Sequence, residues 1–226
     1  MNPRTIAFVT TYTAVAVASV YLARLLPGLP VAGVHVPISF MPFLSAFAGV
    51  FLGARNGALA MGLYLLLGLL GFPVFAGGSG GFAYVLAPTF GYILGFVLSA
   101  LTSGWIYGAL RRTIYNSGQE ADREAKGDLR NRAEFFAYFL ALEAALLPLY
   151  ATGIVYMWGI LNFVTGNPSG LWAIAAGMGV FFVKDVLQNA VLGLVFFPLR
   201  YAYRRATFSP TQELWTTEER KDGEQT

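Results

Sequence analysis

The sequence predicts an all-α membrane protein with six transmembrane helices. Hydrophobic residues make up 56% of its 226 residues and charged residues only 12%, and the mean hydropathy is +0.59. A soluble domain carries about 25% charged residues, so most of this surface is expected to face lipid. The apolar runs are continuous, whereas strands of a membrane barrel alternate apolar and polar residues. Helices of about 20 residues are therefore favoured.

Chain breakers divide the apolar runs into six helices. The first ends at the Pro- and Gly-containing stretch 27–30, and glycines in the stretch 53–57 separate the second from the third. Pro73 ends the third helix, a polar stretch at 111–132 follows the fourth, and a turn at 166–170 separates the fifth from the sixth. The predicted helices cover about residues 5–26, 38–52, 57–72, 84–110, 133–161 and 171–200.

These helices form one predicted transmembrane domain, residues 1–203. A charged tail, residues 204–226, is expected to be disordered and cytoplasmic. The first apolar run has no small-residue cleavage site after it, so we interpret it as a retained helix. No internal repeat is visible, which disfavours an inverted-repeat transporter.

The distribution of basic residues orients the helices. With six crossings both termini lie on one side, together with Arg4, Arg55, the 111–132 stretch and the basic residues of the tail. Of the loop arginines, Arg24 alone falls on the opposite side. Because cytoplasmic loops are enriched in Lys and Arg, both termini are predicted to be cytoplasmic. The chain is thus expected to be a multi-pass protein of the cell membrane, with the loop containing His35 outside.

Several functions are disfavoured by what the sequence lacks. It has no cysteine and one histidine, so thiolate chemistry and a histidine metal cluster are not expected. It contains no nucleotide-binding motif and no convincing pair of nucleophile and base, so we predict that it is not an enzyme and has no cofactor. Its basic residues line a membrane face, where anionic lipid attracts them, so nucleic acid is not expected as a partner. Uphill transport would require an ion gradient or another subunit.

Ionisable residues within the predicted helices mark a candidate site. Away from the ends of these helices they are Glu143 in the fifth helix and Lys184 and Asp185 in the sixth. At about 100° per residue, Lys184, Asp185, Gln188 and Asn189 share an arc of about 140°. Such groups are costly in a bilayer and are usually functional, so this face predicts a binding pocket. The alternative is a structural polar seam in which Glu143 satisfies Lys184 and no ligand binds.

The glycine-rich loop, residues 75–81, is the second candidate feature. Glycines such as Gly78 and Gly80 let the backbone bend sharply and approach a ligand closely, which favours a lid or pocket rim. A flexible connector is the alternative. A phosphate-binding loop is not supported, because no Gly-Lys-Ser/Thr follows and no strand precedes it.

Small residues recur every four positions in the first helix, at Thr10, Ala14 and Ala18. This spacing makes a groove into which another helix can pack closely. The partner helix could belong to the same chain or to another protein.

The span from about 36 to 96 resembles the BioY family, the substrate-binding membrane subunits of energy-coupling factor (ECF) vitamin transporters. The resemblance is carried by the runs at 52–57 (LGARNG), 64–81 (YLLLGLLGFPVFAGGSGG) and 88–96 (PTFGYILGF). It implies six helices with cytoplasmic termini and a biotin pocket near the extracellular side, capped by external loops. It also implies a complex with a second transmembrane (T) subunit and two ATPase (A) subunits. Ala14 and Ala18 look like the family's docking motif for the T subunit.

The sixth helix departs from the family pattern. The family has an Asp followed three residues later by a Lys, and both contact the ligand. Asp185 occupies the Asp position, but Gln188 occupies the Lys position, and the lysine lies at Lys184 instead. Lys184 could still pair with the biotin carboxylate while Asp185, Gln188 or Asn189 bound the ureido group. In the first half of the chain, Ala87 and Phe90 stand where glycines are common in the family.

The leading hypothesis is a non-enzymatic subunit that binds biotin for uptake. Its predicted ligand contacts are Asp185 and Lys184, then Gln188 and Asn189, with Tyr84 and Tyr92 in the apolar wall and Gly78 and Gly80 in the loop. One alternative is a binding subunit for another small carboxylate such as lipoate. A second is an autonomous carrier in which Glu143, Lys184 and Asp185 relay protons.

Overall fold

The fold is built from seven α-helices and one short β-ribbon in the described part of the chain. The computed structural model describes residues 2–26, 28–31, 34–36, 38–116 and 125–208. The elements are α1 (Pro3–Leu25), β1 (Leu29–Val31), β2 (Val34–Val36), α2 (Met41–Leu52), α3 (Ala54–Leu69), α4 (Phe90–Asn116), α5 (Ala125–Ala144), α6 (Leu146–Phe163) and α7 (Leu171–Phe208). Two short 3₁₀ helices, Ala76–Gly78 and Phe82–Leu86, lie between α3 and α4.

Among the described residues, four segments are long and apolar enough to cross a membrane. They are Pro3–Leu25, Phe90–Ile114, Arg132–Phe163 and Leu171–Pro198. The two shorter apolar helices are Met41–Leu52 and Ala54–Leu69. Large apolar side chains such as Trp105, Leu140 and Leu187 are exposed along these segments, as expected for a protein whose solvent is lipid.

The centre of the bundle is α2, whose residues 41–50 are all buried. It packs against α3 and α4, and α4 also packs against α6. Hydroxyl groups join the two central helices: Ser45 Oγ donates to Ser99 Oγ at 3.1 Å, and Ser103 Oγ donates to the Ala46 carbonyl at 2.7 Å. Small hydroxyl residues permit this close approach and add hydrogen bonds within it.

The turn between α2 and α3 is tighter than the sequence predicts. Only Gly53 separates the two helices, with φ of 85°, a conformation that favours glycine. The third helix therefore begins at Ala54 rather than near residue 57, and it ends at Leu69 rather than near 72.

The start of α4 corrects the prediction for Tyr84. This residue lies in the 3₁₀ helix Phe82–Leu86 and not in the fourth long helix, which begins at Phe90. Ala87 is extended, with φ of −76° and ψ of 135°. The reason is Pro88, because proline disfavours helical geometry at the residue before it.

The predicted fifth helix is interrupted. Its hydrogen-bond ladder breaks between α5 and α6 at Ala145, although the backbone there keeps helical dihedral angles. Pro148 explains the break, since it has no N–H to donate to the carbonyl of Ala144 and its ring crowds that carbonyl. The two helices together form the span Arg132–Phe163.

Helices also extend beyond their predicted ends. The stretch 111–132, expected to be a polar connection, contains residues 111–116 of α4 and residues 125–132 of α5. Helix α7 continues to Phe208 rather than ending near 200. The rest of the tail predicted to be disordered, residues 209–226, lies outside the described residues.

A two-stranded antiparallel ribbon, which the all-helical prediction did not include, follows α1. Strands β1 and β2 pair with Leu29 opposite Val36, Pro30 opposite His35 and Val31 opposite Val34. Valines favour this extended conformation. His35, predicted to lie in an ordinary loop, is therefore part of a strand.

Candidate functional site

Lys184 and Asp185 lie at the middle of the span Leu171–Pro198. They are about 20 Å along the helix from Leu171, at 1.5 Å per residue. Asp185 is buried, with 4% of its surface exposed. Lys184 Nζ lies 2.6 Å from Asp185 Oδ1, so the lysine pairs with its neighbour and not with Glu143 as the polar-seam alternative supposed.

Tyr150 of α6 completes this pair. Its hydroxyl donates a hydrogen bond of 2.6 Å to Asp185 Oδ2. Sequence reasoning missed this residue because tyrosine is uncharged at neutral pH and lies 35 positions from Asp185. One signal was available, since a tyrosine hydroxyl in the middle of an apolar helix usually has a hydrogen-bond partner.

Tyr92, predicted as part of the pocket wall, lies beside Tyr150. The two rings are 5.7 Å apart at 84°, an edge-to-face arrangement. Gly153 makes room for the Tyr92 ring, because a Cβ there would overlap three of its carbons. The Tyr92 hydroxyl is buried and has no hydrogen-bond partner among the described residues. It is therefore free to contact a polar group of a ligand.

The two amides of α7 bind backbone carbonyls of other segments. Gln188 Nε2 donates to the Ser39 carbonyl at 2.8 Å, and Asn189 Nδ2 donates to the Leu142 carbonyl at 3.3 Å. In the part of the chain that the structure describes, Asn189 Oδ1 and Glu143 Oε2 are buried without a hydrogen bond. Both amides thus have a structural contact, and their predicted ligand contacts stay predictions.

A groove of about 900 Å³ runs along α7 next to this cluster. Its two polar members are Lys184 and Gln188. The apolar members are Leu26, Ile38, Phe40, Ala176, Gly179, Val180, Val183, Leu187, Val191 and Leu192. The lysine side chain therefore connects an apolar groove to the buried carboxylate of Asp185. Val183, Leu187 and Val191 are more than half exposed, so the groove opens on the surface that is expected to face lipid.

Tyr84, Gly78 and Gly80 lie in a second neighbourhood, around Phe75. The Tyr84 ring is 4.9 Å from the Phe75 ring, and its hydroxyl is 2.8 Å from Thr89 Oγ1. Gly78 has φ of 82° and faces the guanidinium of Arg24. The predicted site residues thus divide into a cluster around Asp185 and a cluster at the glycine-rich loop.

The small-residue face of α1 is uncovered. Thr10, Ala14 and Ala18 are exposed, whereas Val9, Tyr12, Thr13 and Ala16 form the buried face of the helix. Within the described ranges, no helix of this chain covers Ala14 and Ala18.

Metal binding has no support in the described ranges. These residues include no group of three His, Asp or Glu side chains placed to hold a metal ion.

Comparison with known proteins agrees with this architecture. The sequence model of the BioY family matches residues 1–205. The biotin transporter BioY of Rhizobium etli is 31% identical over 183 residues, which cover 81% of this chain and 88% of that protein. The probable biotin transporter BioY of Pyrococcus horikoshii is 43% identical over 160 residues, covering 71% and 78% of the two chains.

A solved structure shares the fold. The crystal structure described as the S-component for biotin from an ECF-type ABC transporter superposes with a TM-score of 0.62 and 23% identity. The match covers 89% of this chain and 95% of that one. The family match over nearly the whole chain, the two relatives and the shared fold lead to one conclusion: this chain belongs to the BioY family.

Proposed function

We propose that this chain is the membrane subunit that captures biotin for uptake and releases it after docking to energising partners. One observation carries the proposal beyond family membership: a buried carboxylate, Asp185, is held by Lys184 and Tyr150 beside an apolar groove. Biotin combines a carboxylate, an apolar ring and chain, and a ureido group. It therefore offers a partner for the lysine, for the groove and for the carboxylate.

The proposed topology has six crossings and cytoplasmic termini. It counts the span Arg132–Phe163 once and includes α2 and α3. These two helices are about 18 Å and 24 Å long, shorter than the bilayer core of about 30 Å. Because α2 is buried among other helices, it does not need to match the thickness of the bilayer core.

Two contacts support this topology. Arg24, at the end of α1, donates a hydrogen bond to Pro73, which follows α3, so the ends of these helices lie on one side. Arg111 and Glu134 are 3.5 Å apart where α4 and α5 meet, on the side that carries most of the basic residues. The positive-inside rule assigns that side to the cytoplasm of the cell.

The proposed pocket lies between the mid-membrane pair and the external side, with the glycine-rich loop above it. In this arrangement Lys184 binds the carboxylate, Asp185 accepts a hydrogen bond from the ureido group, and Tyr92 contributes to the wall. Gln188 lines the groove, and Gln188 and Asn189 bind the carbonyls of Ser39 and Leu142, so both help to shape the pocket.

Energy for release is proposed to come from partner proteins. The resemblance implies an ECF T subunit and two A subunits, and Ala14 and Ala18 are exposed and small enough to pack against a helix of the T subunit.

Equilibrium binding of labelled biotin to the purified chain in detergent tests the proposal. We expect saturable, tight binding that excess unlabelled biotin displaces and that lipoate and thiamine do not. Displacement by lipoate instead would favour a subunit for other small carboxylates. A folded, monodisperse sample that binds no biotin would contradict the proposed function.

Autonomous proton-coupled transport is the second candidate. It is favoured by Glu143 Oε2, which is buried within a membrane span and receives no hydrogen bond from a described residue. Uptake into liposomes that contain this chain alone, abolished by a protonophore, would support it. Uptake that requires partner subunits and ATP would reject it.

A further inference from the structure

The two oxygens of Asp185 have different environments. Oδ2 accepts a directed hydrogen bond of 2.6 Å from the Tyr150 hydroxyl. Oδ1 lies 2.6 Å from Lys184 Nζ, in an ion pair between adjacent residues of α7. Neighbouring side chains on a helix point about 100° apart, so the lysine reaches the carboxylate from the side. A carboxylate oxygen has two lone pairs, so Oδ1 can accept a hydrogen bond from a ligand when the lysine moves away.

The two partners of Asp185 also differ in freedom. The Tyr150 ring is packed edge-to-face between Tyr92, at 5.7 Å, and Phe182, at 5.1 Å. Tyrosine has two side-chain torsions, and both are restricted by this packing. Lys184 has a flexible four-carbon stem and lines the groove, so its ammonium can turn towards a ligand there.

We propose that Tyr150 is a positioning residue that holds Asp185 in place while Lys184 exchanges partners during ligand binding. This inference rests on the proposed function. Tyr150 stays on Oδ2 throughout. Lys184 leaves Oδ1 for the carboxylate of biotin, and a ureido N–H takes its place on Oδ1.

Charge balance favours this exchange over a mode in which the ligand binds while Lys184 and Asp185 stay paired. Before binding, the lysine and aspartate neutralise each other in a buried position. A ligand that brought only a carboxylate would draw Lys184 away and leave Asp185 as a buried anion held by one hydroxyl, which is costly. A ligand that brings both a carboxylate and an N–H donor leaves each charge with a partner. The site therefore selects molecules with both groups, and Tyr150 determines where the N–H must lie.

A purely structural role would need only the aromatic ring of Tyr150. Tyr150→Phe keeps that ring between Tyr92 and Phe182 and removes the hydroxyl that binds Oδ2. Tyr12→Phe is a matched control, because Tyr12 is also buried and its hydroxyl donates at 2.7 Å to the Leu44 carbonyl, away from this cluster.

The test is a double-mutant cycle on biotin affinity in detergent, with Tyr150→Phe, Asp185→Asn and the double variant. We expect Tyr150→Phe to weaken biotin binding about tenfold, as for a lost hydrogen bond to a charged group. In the Asp185→Asn background, the same change should alter affinity less than about twofold. Tyr12→Phe should leave affinity unchanged.

The methyl ester of biotin provides a second readout. It keeps the ureido group but lacks the charged carboxylate that draws Lys184 away from Oδ1. We therefore expect the ester to bind the wild-type chain more weakly than the acid, and Tyr150→Phe to weaken binding of the ester less than binding of the acid. Equal losses for the acid and the ester would overturn the proposed exchange.

The outcomes separate this inference from the proposed function. A wild-type chain that binds no biotin contradicts both. Suppose that the wild-type chain binds biotin. This inference alone is overturned if Tyr150→Phe binds biotin as tightly as the wild type does. It is also overturned if Tyr150→Phe weakens biotin binding by the same factor in the wild-type and Asp185→Asn backgrounds. If Tyr150→Phe is not monodisperse, Phe182→Leu loosens the tyrosine and retains its hydroxyl. We expect Phe182→Leu to weaken biotin binding less than Tyr150→Phe does, and this loss must disappear in the Asp185→Asn background.

Discussion

The guanidinium of Arg24 donates a hydrogen bond of 2.9 Å from Nη2 to the carbonyl oxygen of Pro73. The same nitrogen lies 3.5 Å from the Phe75 carbonyl oxygen, and the guanidinium carbon stacks 4.7 Å from the centre of the Tyr21 ring. The end of α1 is thereby tied to the start of the glycine-rich loop. Leu26, two residues after Arg24, lines the groove along α7, so this contact joins the loop to the candidate site.

Removal of this tie should loosen the loop. In Arg24→Gln we expect faster hydrogen exchange at the loop amides of Phe75 and Gly78, which bond to Ser79 and Phe75. The expected increase is about fivefold, from a hydrogen bond worth about 1 kcal/mol. Hydrogen-exchange mass spectrometry measures it. Arg55→Gln, an exposed arginine at the opposite end of α3, should not change exchange in the loop, and an equal effect there would reject the assignment.

Asp185→Ala should weaken biotin binding by at least about tenfold, or 1.4 kcal/mol. The change leaves Lys184 without its anion and the Tyr150 hydroxyl without its acceptor. Equilibrium binding to a monodisperse sample measures the loss. Val195→Ala, at an exposed position of the same helix outside the groove, serves as the control. Unchanged affinity in folded Asp185→Ala would remove this residue from the site.

Gly153→Ala should destabilise the protein because the added methyl group overlaps the Tyr92 ring. Overpacking of this kind costs about 1–3 kcal/mol, and each kcal/mol lowers Tm by about 3 °C in a chain of this size. Gly159 lies on the same helix with no atom within 4 Å of an added Cβ, so Gly159→Ala should not lower Tm. Thermal unfolding in detergent compares the two. Equal values of Tm would contradict the close approach.

Ala14→Leu should abolish uptake in cells that contain the partner subunits while leaving biotin binding in detergent unchanged. The added side chain fills the surface on which the T subunit is proposed to pack, and Ala14 is exposed in the isolated chain. Val15→Leu is the control, because Val15 is also exposed and points about 100° away around the helix. Normal uptake by Ala14→Leu would place the docking surface elsewhere.

The breaks within helices could be located from sequence to different degrees. Pro73 and the glycines near 53 indicated where α3 ends and begins to within a few residues, because these residues act on their own neighbours in the chain. Pro88 and Pro148 also act on their own neighbours, but the prediction did not use them. As a result, the predicted start of α4 was too early and the predicted fifth helix was continuous. A long apolar run outweighed both prolines in the prediction.

Family membership was also readable from the sequence. The runs at 52–57, 64–81 and 88–96 predicted the BioY family, and the family match over residues 1–205 confirms it. These runs are local strings of residues, and their order along the chain needs no knowledge of packing.

By itself the sequence determined that this is a helical membrane protein with a charged pair in its last span. Composition alone shows that the protein is helical and lies in a membrane, because a bilayer accepts only long apolar segments whose backbone hydrogen bonds are formed within the protein. The tertiary structure alone decided that Asp185 pairs with Tyr150, that Arg24 binds Pro73, and that Tyr84 packs against Phe75. Periodicity gives the face of a helix on which a residue lies, but the residue that meets this face depends on how the helices pack against one another.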